Sequence, residues 1–150
     1  MAERVLAIDY GERRVGLALS DPETGFVSGL PTLDRRILKE GGLRAAIAAL
    51  VVEREVDRVL LGIPYSLDGS IGSAAEGALD FRDRLLPVLP APIAEWDERL
   101  STEAAKARLR ELGYSEKEMR GKLDQLSAVL MLEQYLRFRE SQPEGPEGAA

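Results

Sequence analysis

A chain of 150 residues is the size of one compact α/β domain with a single continuous core. It contains neither cysteine nor histidine, which excludes disulfides, thiolate nucleophiles, zinc–cysteine sites, the serine–histidine triad and every imidazole metal site. Hydrolytic chemistry is left to carboxylates, lysine, tyrosine or serine and to a hard cation held by oxygen, while a net charge of −6 confines any nucleic-acid contact to a local patch.

Met1-Ala2-Glu3-Arg4 has no signal-peptide layout, and no apolar stretch is long enough to span a bilayer, so a cytoplasmic protein without membrane contact is expected. Val5-Leu6-Ala7-Ile8 reads as a strand buried on both faces and is closed by Asp9-Tyr10-Gly11. Val15-Gly16-Leu17-Ala18-Leu19 follows after a short turn and should run antiparallel to it, with Phe26-Val27-Ser28-Gly29-Leu30 as a third strand. Between Gly42 and Arg54, the residues Leu43, Ile47, Leu50 and Val51 recur at helical spacing, and Arg58-Val59-Leu60-Leu61-Gly62-Ile63-Pro64 is another buried strand.

The segment Ser66-Leu67-Asp68-Gly69-Ser70 is turn-rich. A helix is expected from about Ser73 to Leu86, with Ala74, Ala75, Ala78, Phe81 and Leu85 facing inward, and Ile93-Ala94-Glu95-Trp96-Asp97-Glu98 is a final strand. Ser101 or Thr102 should cap a helix running to Leu112, and a long helix should run from about Leu123 to Arg139. Three antiparallel strands followed by two parallel ones make an α/β fold with a mixed five-stranded sheet flanked by helices. Residues 1–139 then form the folded domain, and residues 140–150, with three glutamates and no apolar periodicity, a disordered acidic tail.

Acids recur where open α/β sheets bind ligands, at the carboxyl ends of strands: Asp9 and the pair Asp97-Glu98. Asp124, taken as the opening of the last helix, shares a face with Ser127, Ala128, Met131 and Tyr135. Small residues at 127 and 128 would let that helix lie close to the sheet. Such a cluster suits phosphodiester hydrolysis, in which two divalent ions roughly 3.5–4 Å apart activate water and stabilise the leaving oxygen. Carboxylates alone favour Mg2+ or Mn2+ over zinc. Each signal has a plainer rival: a turn at Asp9, a helix cap at Asp124, a solvated Glu98-Arg99 ion pair.

Four blocks, Ala7-Ile8-Asp9-Tyr10-Gly11-Glu12-Arg13-Arg14-Val15-Gly16-Leu17-Ala18, Leu61-Gly62-Ile63-Pro64 with Asp68-Gly69-Ser70, Asp97-Glu98-Arg99-Leu100-Ser101-Thr102, and Asp124-Gln125-Leu126-Ser127-Ala128, resemble in order and spacing the YqgF, or RuvX, family. That family is described as candidate pre-16S ribosomal RNA nucleases and as Holliday-junction-resolvase-like. The resemblance implies a ribonuclease-H-like fold and a metal-binding catalytic triad of Asp9, an acid of the Asp-Glu-Arg block and Asp124. Glu98 is favoured over Asp97 for the middle place, because its longer side chain can better span the gap to Asp9 and strand alternation points Asp97 to the other face. The chain departs from the family pattern at Tyr65-Ser66-Leu67 and at Ser127, and neither departure is expected to touch an acid.

Arg13 and Arg14 after Asp9, Arg99 after Glu98, and the backbone amides of Gly69 and Ser70 are candidate substrate contacts. From Arg99 to Lys122, seven basic residues face four acidic ones, the best candidate surface for tracking phosphates, although a solvated helical face explains them equally well. The function expected from the resemblance is a two-metal-ion endonuclease processing the 5′ end of precursor 16S ribosomal RNA, acting as a monomer or homodimer. The alternatives are a Holliday junction resolvase acting on branched DNA and a non-catalytic nucleic-acid-binding regulatory module.

Overall fold

The computed structural model describes residues 2–142, apart from the side chains of residues 101, 102, 104, 105 and 120–125. Strands β1 (Val5–Tyr10), β2 (Arg14–Ser20) and β3 (Val27–Asp34) form an antiparallel meander. They are followed by α1 (Arg35–Glu53), β4 (Arg58–Ile63), α2 (Ser73–Leu85), β5 (Ile93–Asp97), α3 (Arg99–Glu111) and α4 (Glu116–Ser141). The sheet order is β3-β2-β1-β4-β5, with β4 and β5 parallel to β1, so the first strand lies at the centre.

Strand alternation sorts the core into two layers. Leu6 and Ile8 of β1, Leu17 and Leu19 of β2 and Val59, Leu61 and Ile63 of β4 pack with Leu43, Ile47 and Val51 of α1 and Ala75, Ala78, Phe81 and Leu85 of α2. On the other face Val5, Ala7, Ala18, Leu60 and Trp96 meet Ala128, Met131, Leu132 and Tyr135 of α4. Strands covered on both sides need continuous apolar runs, as β1 and β4 have. Helix α4 lies directly on the glycines of the sheet: a Cβ on Gly29 would press on Val129 Cγ2 at 3.3 Å, while one on Gly16 would meet that of Ala128 at an ordinary 3.6 Å.

Several boundaries differ from those expected. Strand β3 starts after Phe26 and continues through Pro31 to Asp34, which an edge strand tolerates, with a register shift opposite Val15 and Leu17. Helix α1 begins at Arg35, where Asp34 caps it by accepting from the Arg36 amide, and breaks at Lys39 (φ 56°). Ala74 is exposed rather than inward. Ser101 and Thr102 lie inside α3, which starts at Arg99 directly after β5. The largest difference is α4, which begins at Glu116 behind a capping box of Ser115 and Glu118 and ends at Ser141. Asp124 is therefore an interior residue of α4, not its opening, and the cap explanation for it falls away. Of the expected acidic tail, residues 143–150 lie outside the described residues. Among the described residues no helix is long and apolar enough to cross a membrane.

Candidate active site

Asp9 continues the Val5, Ala7 series of β1, so its side chain leaves the sheet on the α4 face, at the strand's carboxyl end. Its antiparallel partner is Gly16, which lies between Asp9 and Ala128: a Cβ there would sit 3.6 Å from the Cβ of each, in ordinary contact. From above, Ser127 of α4 donates its hydroxyl to Asp9 Oδ2. The residue at which the chain departs from the family pattern thus does touch an acid, contrary to the expectation from sequence.

Glu98 follows β5 at the turn into α3, and its amide donates to the Ile63 carbonyl (3.1 Å), which ties that turn to the end of β4. Its side chain folds back over Gly62: a Cβ at position 62 would lie 2.6 Å from Glu98 Oε1 and 2.8 Å from Met131 Sδ. There Glu98 shares a hydrogen bond with Asp9. Burial, followed by the Asp9 charge and the shared hydrogen bond, pushes the Glu98 carboxyl from its ordinary 4.5 up to about 9. Two carboxylates held this closely in a half-buried place require either a proton or a cation between them.

Asp97 takes a different part. It pairs in register with Ile63 and is gripped by the Arg99 side chain, with contacts of 3.0 Å and 3.1 Å from Nε and 2.6 Å from Nη2. The Arg99 guanidinium holds its carboxyl below the usual carboxylate range. Asp124 lies in α4 one turn before Ser127 and Ala128, and its side chain is outside the described residues. Among the described residues, no group of three acids gathers closely enough to hold a metal ion; Asp9 and Glu98 are the two that meet.

Beside Asp9 opens a cleft of about 620 Å³ lined by Gly11, Glu12, Arg13, Arg14, Gly16 and Thr32. Arg13 and Arg14, both exposed, stand at its wall as candidate cations for a phosphate chain. The Gly11 to Arg14 turn that carries them is closed by the Gly11 amide on the Arg14 carbonyl (3.1 Å), so close that a Cβ on Gly11 would fall 2.6 Å from that oxygen. Arg35 braces the turn from α1, donating to the carbonyls of Gly11 (2.8 Å) and Glu12 (3.0 Å) while its guanidinium lies 4.3 Å from the Tyr10 ring centroid. Tyr10 in turn stacks on Phe81 at 4.1 Å, packing on the face away from Asp9. Nothing in the sequence singled out Arg35, because its targets are backbone oxygens in a turn 23 and 24 residues earlier.

The other candidate contacts are placed differently from expectation. The Gly69 amide donates to the Ser66 carbonyl (2.8 Å) and the Ser70 amide to Asp68 Oδ1 (2.9 Å), so both are spent inside their own loop rather than offered to a phosphate. Arg99 braces this loop, with Nη1 3.5 Å from the Leu67 carbonyl and the guanidinium 5.7 Å from the Tyr65 ring centroid. In the basic stretch after it, Arg108 pairs with Glu133 (3.2 Å) and Arg110 lies 3.9 Å from Glu116. That stretch is thus partly neutralised.

A mixed five-stranded sheet of this order, with β1 at its centre and β4 and β5 parallel to it, is a ribonuclease-H-like fold. The fold is similar to that of T. thermophilus RuvC solved in complex with Holliday junction substrate, with a TM-score of 0.57 at 13% identity over 93% of this chain and 96% of that one. The family model of RuvX, described as Holliday junction resolvase, matches residues 3–138, and the chain belongs to this family. Among its relatives are proteins named as candidate pre-16S rRNA nucleases. That of Halothermothrix orenii is 36% identical over 91% of this chain and 96% of its own length. That of an Anaeromyxobacter species is 38% identical over 92% and 99%.

Proposed function

We propose that this protein is a divalent-metal-dependent endonuclease that cuts structured RNA, with the 5′ region of precursor 16S ribosomal RNA as its substrate. The observation that carries the reading is the meeting of Asp9 and Glu98 at the carboxyl ends of β1 and β5, beside a cleft walled by Arg13 and Arg14. An oxygen-only donor pair that holds either a proton or a cation suits a hard ion such as Mg2+ or Mn2+. Asp9 and Glu98 would hold it, and Asp124, on the helix that carries Ser127, is the third carboxylate by family resemblance. When bound, the ions supply the charge that activates an attacking water and stabilises the leaving oxygen. Ser127 keeps Asp9 in position, Gly62 leaves the space through which Glu98 reaches it, and Arg13 and Arg14 draw the phosphate chain into the cleft. Asp97 is assigned to Arg99 and not to the metal.

The relatives' names favour precursor ribosomal RNA, and the family's description keeps branched DNA as the competing substrate. Purified protein with Mg2+ or Mn2+, offered a precursor 16S transcript and a four-way DNA junction side by side, separates them. Cleavage of the transcript near its mature 5′ end, lost in Asp9→Asn and on chelation, is the expected result. Binding of either substrate without metal-dependent cleavage would replace the nuclease reading by that of a regulatory binding module.

A further inference from the structure

Leu67 is 97% exposed, the most exposed of the large apolar side chains described, and it stands on the loop between β4 and α2 at the same end of the sheet as Asp9 and Glu98. Single exposed leucines are common on protein surfaces, but this one is held out by a braced support. The Ser66 amide donates to the Ser70 carbonyl (3.0 Å), the Gly69 amide to Ser66 and the Ser70 amide to Asp68, while Gly69 takes a left-handed conformation (φ 87°). Arg99 reaches the Leu67 carbonyl from the residue next to Glu98, and Asp97 clamps Arg99 in that position. The Leu67 backbone is thus tied by the Arg99 side chain to the residue that follows Glu98. Ile71 and Leu100, 57% and 60% exposed, add apolar surface on the same loop and at the start of α3.

The loop's chemistry indicates what it meets. Its Gly69 and Ser70 amides are consumed internally and Arg99 is matched by Asp97, so it presents an apolar surface and not a set of anion donors. The cations lie on the other flank of Asp9, at Arg13 and Arg14. A nucleic-acid strand crossing the acidic pair would have its phosphates drawn to the hairpin side and a base carried to the loop side. Apolar side chains pack on base faces irrespective of sequence, and wedge between stacked bases to hold a strand open.

We infer that Leu67 is a substrate-positioning residue, packing against a nucleobase next to the scissile phosphate and so fixing which phosphodiester meets Asp9 and Glu98. This rests on the nuclease reading above. The test compares the full-length wild type with Leu67→Ser and Leu67→Phe on RNA oligonucleotides spanning the cleavage site, each with 2-aminopurine at one position. Kinetics are followed with Mg2+, and binding and base fluorescence are read in the Asp9→Asn background. With unchanged melting temperature, Leu67→Ser should raise KM about tenfold, blur the cleavage position and abolish a fluorescence change localised to one or two bases. Leu67→Phe should retain all three. A wild type that cuts while Leu67→Ser matches it in KM, position and fluorescence overturns this inference and leaves the nuclease reading standing. A wild type that neither cuts nor binds RNA overturns both.

Discussion

Glu98 occupies the space that a side chain at Gly62 would need. Its Oε1 lies 2.6 Å, and its Cγ 2.9 Å, from where that Cβ would stand, and Met131 closes the position from α4. A glycine inside a buried strand weakens the strand locally; here it leaves the channel through which a carboxylate from beyond β5 reaches the centre of the sheet. Gly62→Ala should therefore displace the Glu98 side chain and the Met131 thioether together, costing about 1–3 kcal/mol in stability as overpacking does. Nuclease activity should fall by at least as much as in Glu98→Gln. Chemical denaturation and cleavage rates on the same preparations check this; a Gly62→Ala protein as active as wild type would mean that Glu98 need not lie there.

The raised Glu98 carboxyl has a definite sign for stability. With a folded value of about 9 against an ordinary 4.5, the metal-free native state keeps a proton that the unfolded chain releases. The stabilisation is complete below the unfolded value and is lost as pH rises through the folded one. The melting temperature of the metal-free protein should decline from pH 6 to pH 9 by about 5 °C or more, and Glu98→Gln should flatten the decline. Millimolar Mg2+ or Mn2+ should do the same by replacing the proton. A metal-free profile identical to that of Glu98→Gln would refute the assignment.

Asp97 and Glu98 are neighbours with opposite surroundings, and substitutions should separate them. Asp97→Asn removes the charge that grips Arg99 and loosens the loop over residues 65–70, so KM should rise several-fold with kcat largely kept. Glu98→Gln should lower kcat by about 100-fold or more, as loss of charge stabilisation at a reacting centre does. Steady-state kinetics at saturating metal decide between the two; the reverse pattern would make Asp97 the ligand.

Arg35 should act through the turn it braces. Arg35→Ala removes two hydrogen bonds to the carbonyls of Gly11 and Glu12 and the guanidinium beside the Tyr10 ring, with an expected loss of about 1–3 kcal/mol. Because Arg13 and Arg14 ride on that turn, substrate affinity should fall and the salt dependence of binding should become shallower. Arg35→Lys should recover only part, since an ammonium can donate to the carbonyls but has no planar face to lay beside the Tyr10 ring. Binding titrations across a range of salt concentrations read this directly.

Ser127→Ala isolates the hydroxyl on Asp9. The alanine adds no bulk and gives up only the hydrogen bond to Asp9, so the fold should hold to within about 1–2 kcal/mol of wild type. If the hydroxyl only orients Asp9, kcat should fall less than tenfold, whereas Asp9→Asn should abolish cleavage. Metal-dependent cleavage rates of the two variants make the comparison, and equal losses would give Ser127 a more direct part.

The apolar periods of β1, β4 and α1, the antiparallel meander followed by parallel strands, and the acids at the carboxyl ends of β1 and β5 were legible in the sequence, because burial on both faces leaves runs such as Val5-Leu6-Ala7-Ile8 and Arg58-Val59-Leu60-Leu61. The absence of histidine and cysteine likewise restricted the chemistry to carboxylates before any fold was known. The start of α4 was misread, since the polar turns from Glu116 to Lys122 carry little apolar periodicity, while the Ser115–Glu118 capping box that marks it is a local signal. What only the tertiary structure decided are relationships between distant residues. Glu98 and not Asp97 meets Asp9, because Asp97 is drawn to Arg99 while Glu98 finds an empty place above Gly62. Ser127 reaches Asp9 across 118 residues, Arg35 holds a turn from another element, and Gly69 and Ser70 turn their amides inward. Residue type and spacing determine which groups the chain can present; which of them touch depends on side-chain direction and on free space, and those exist only once the sheet and α4 have packed together.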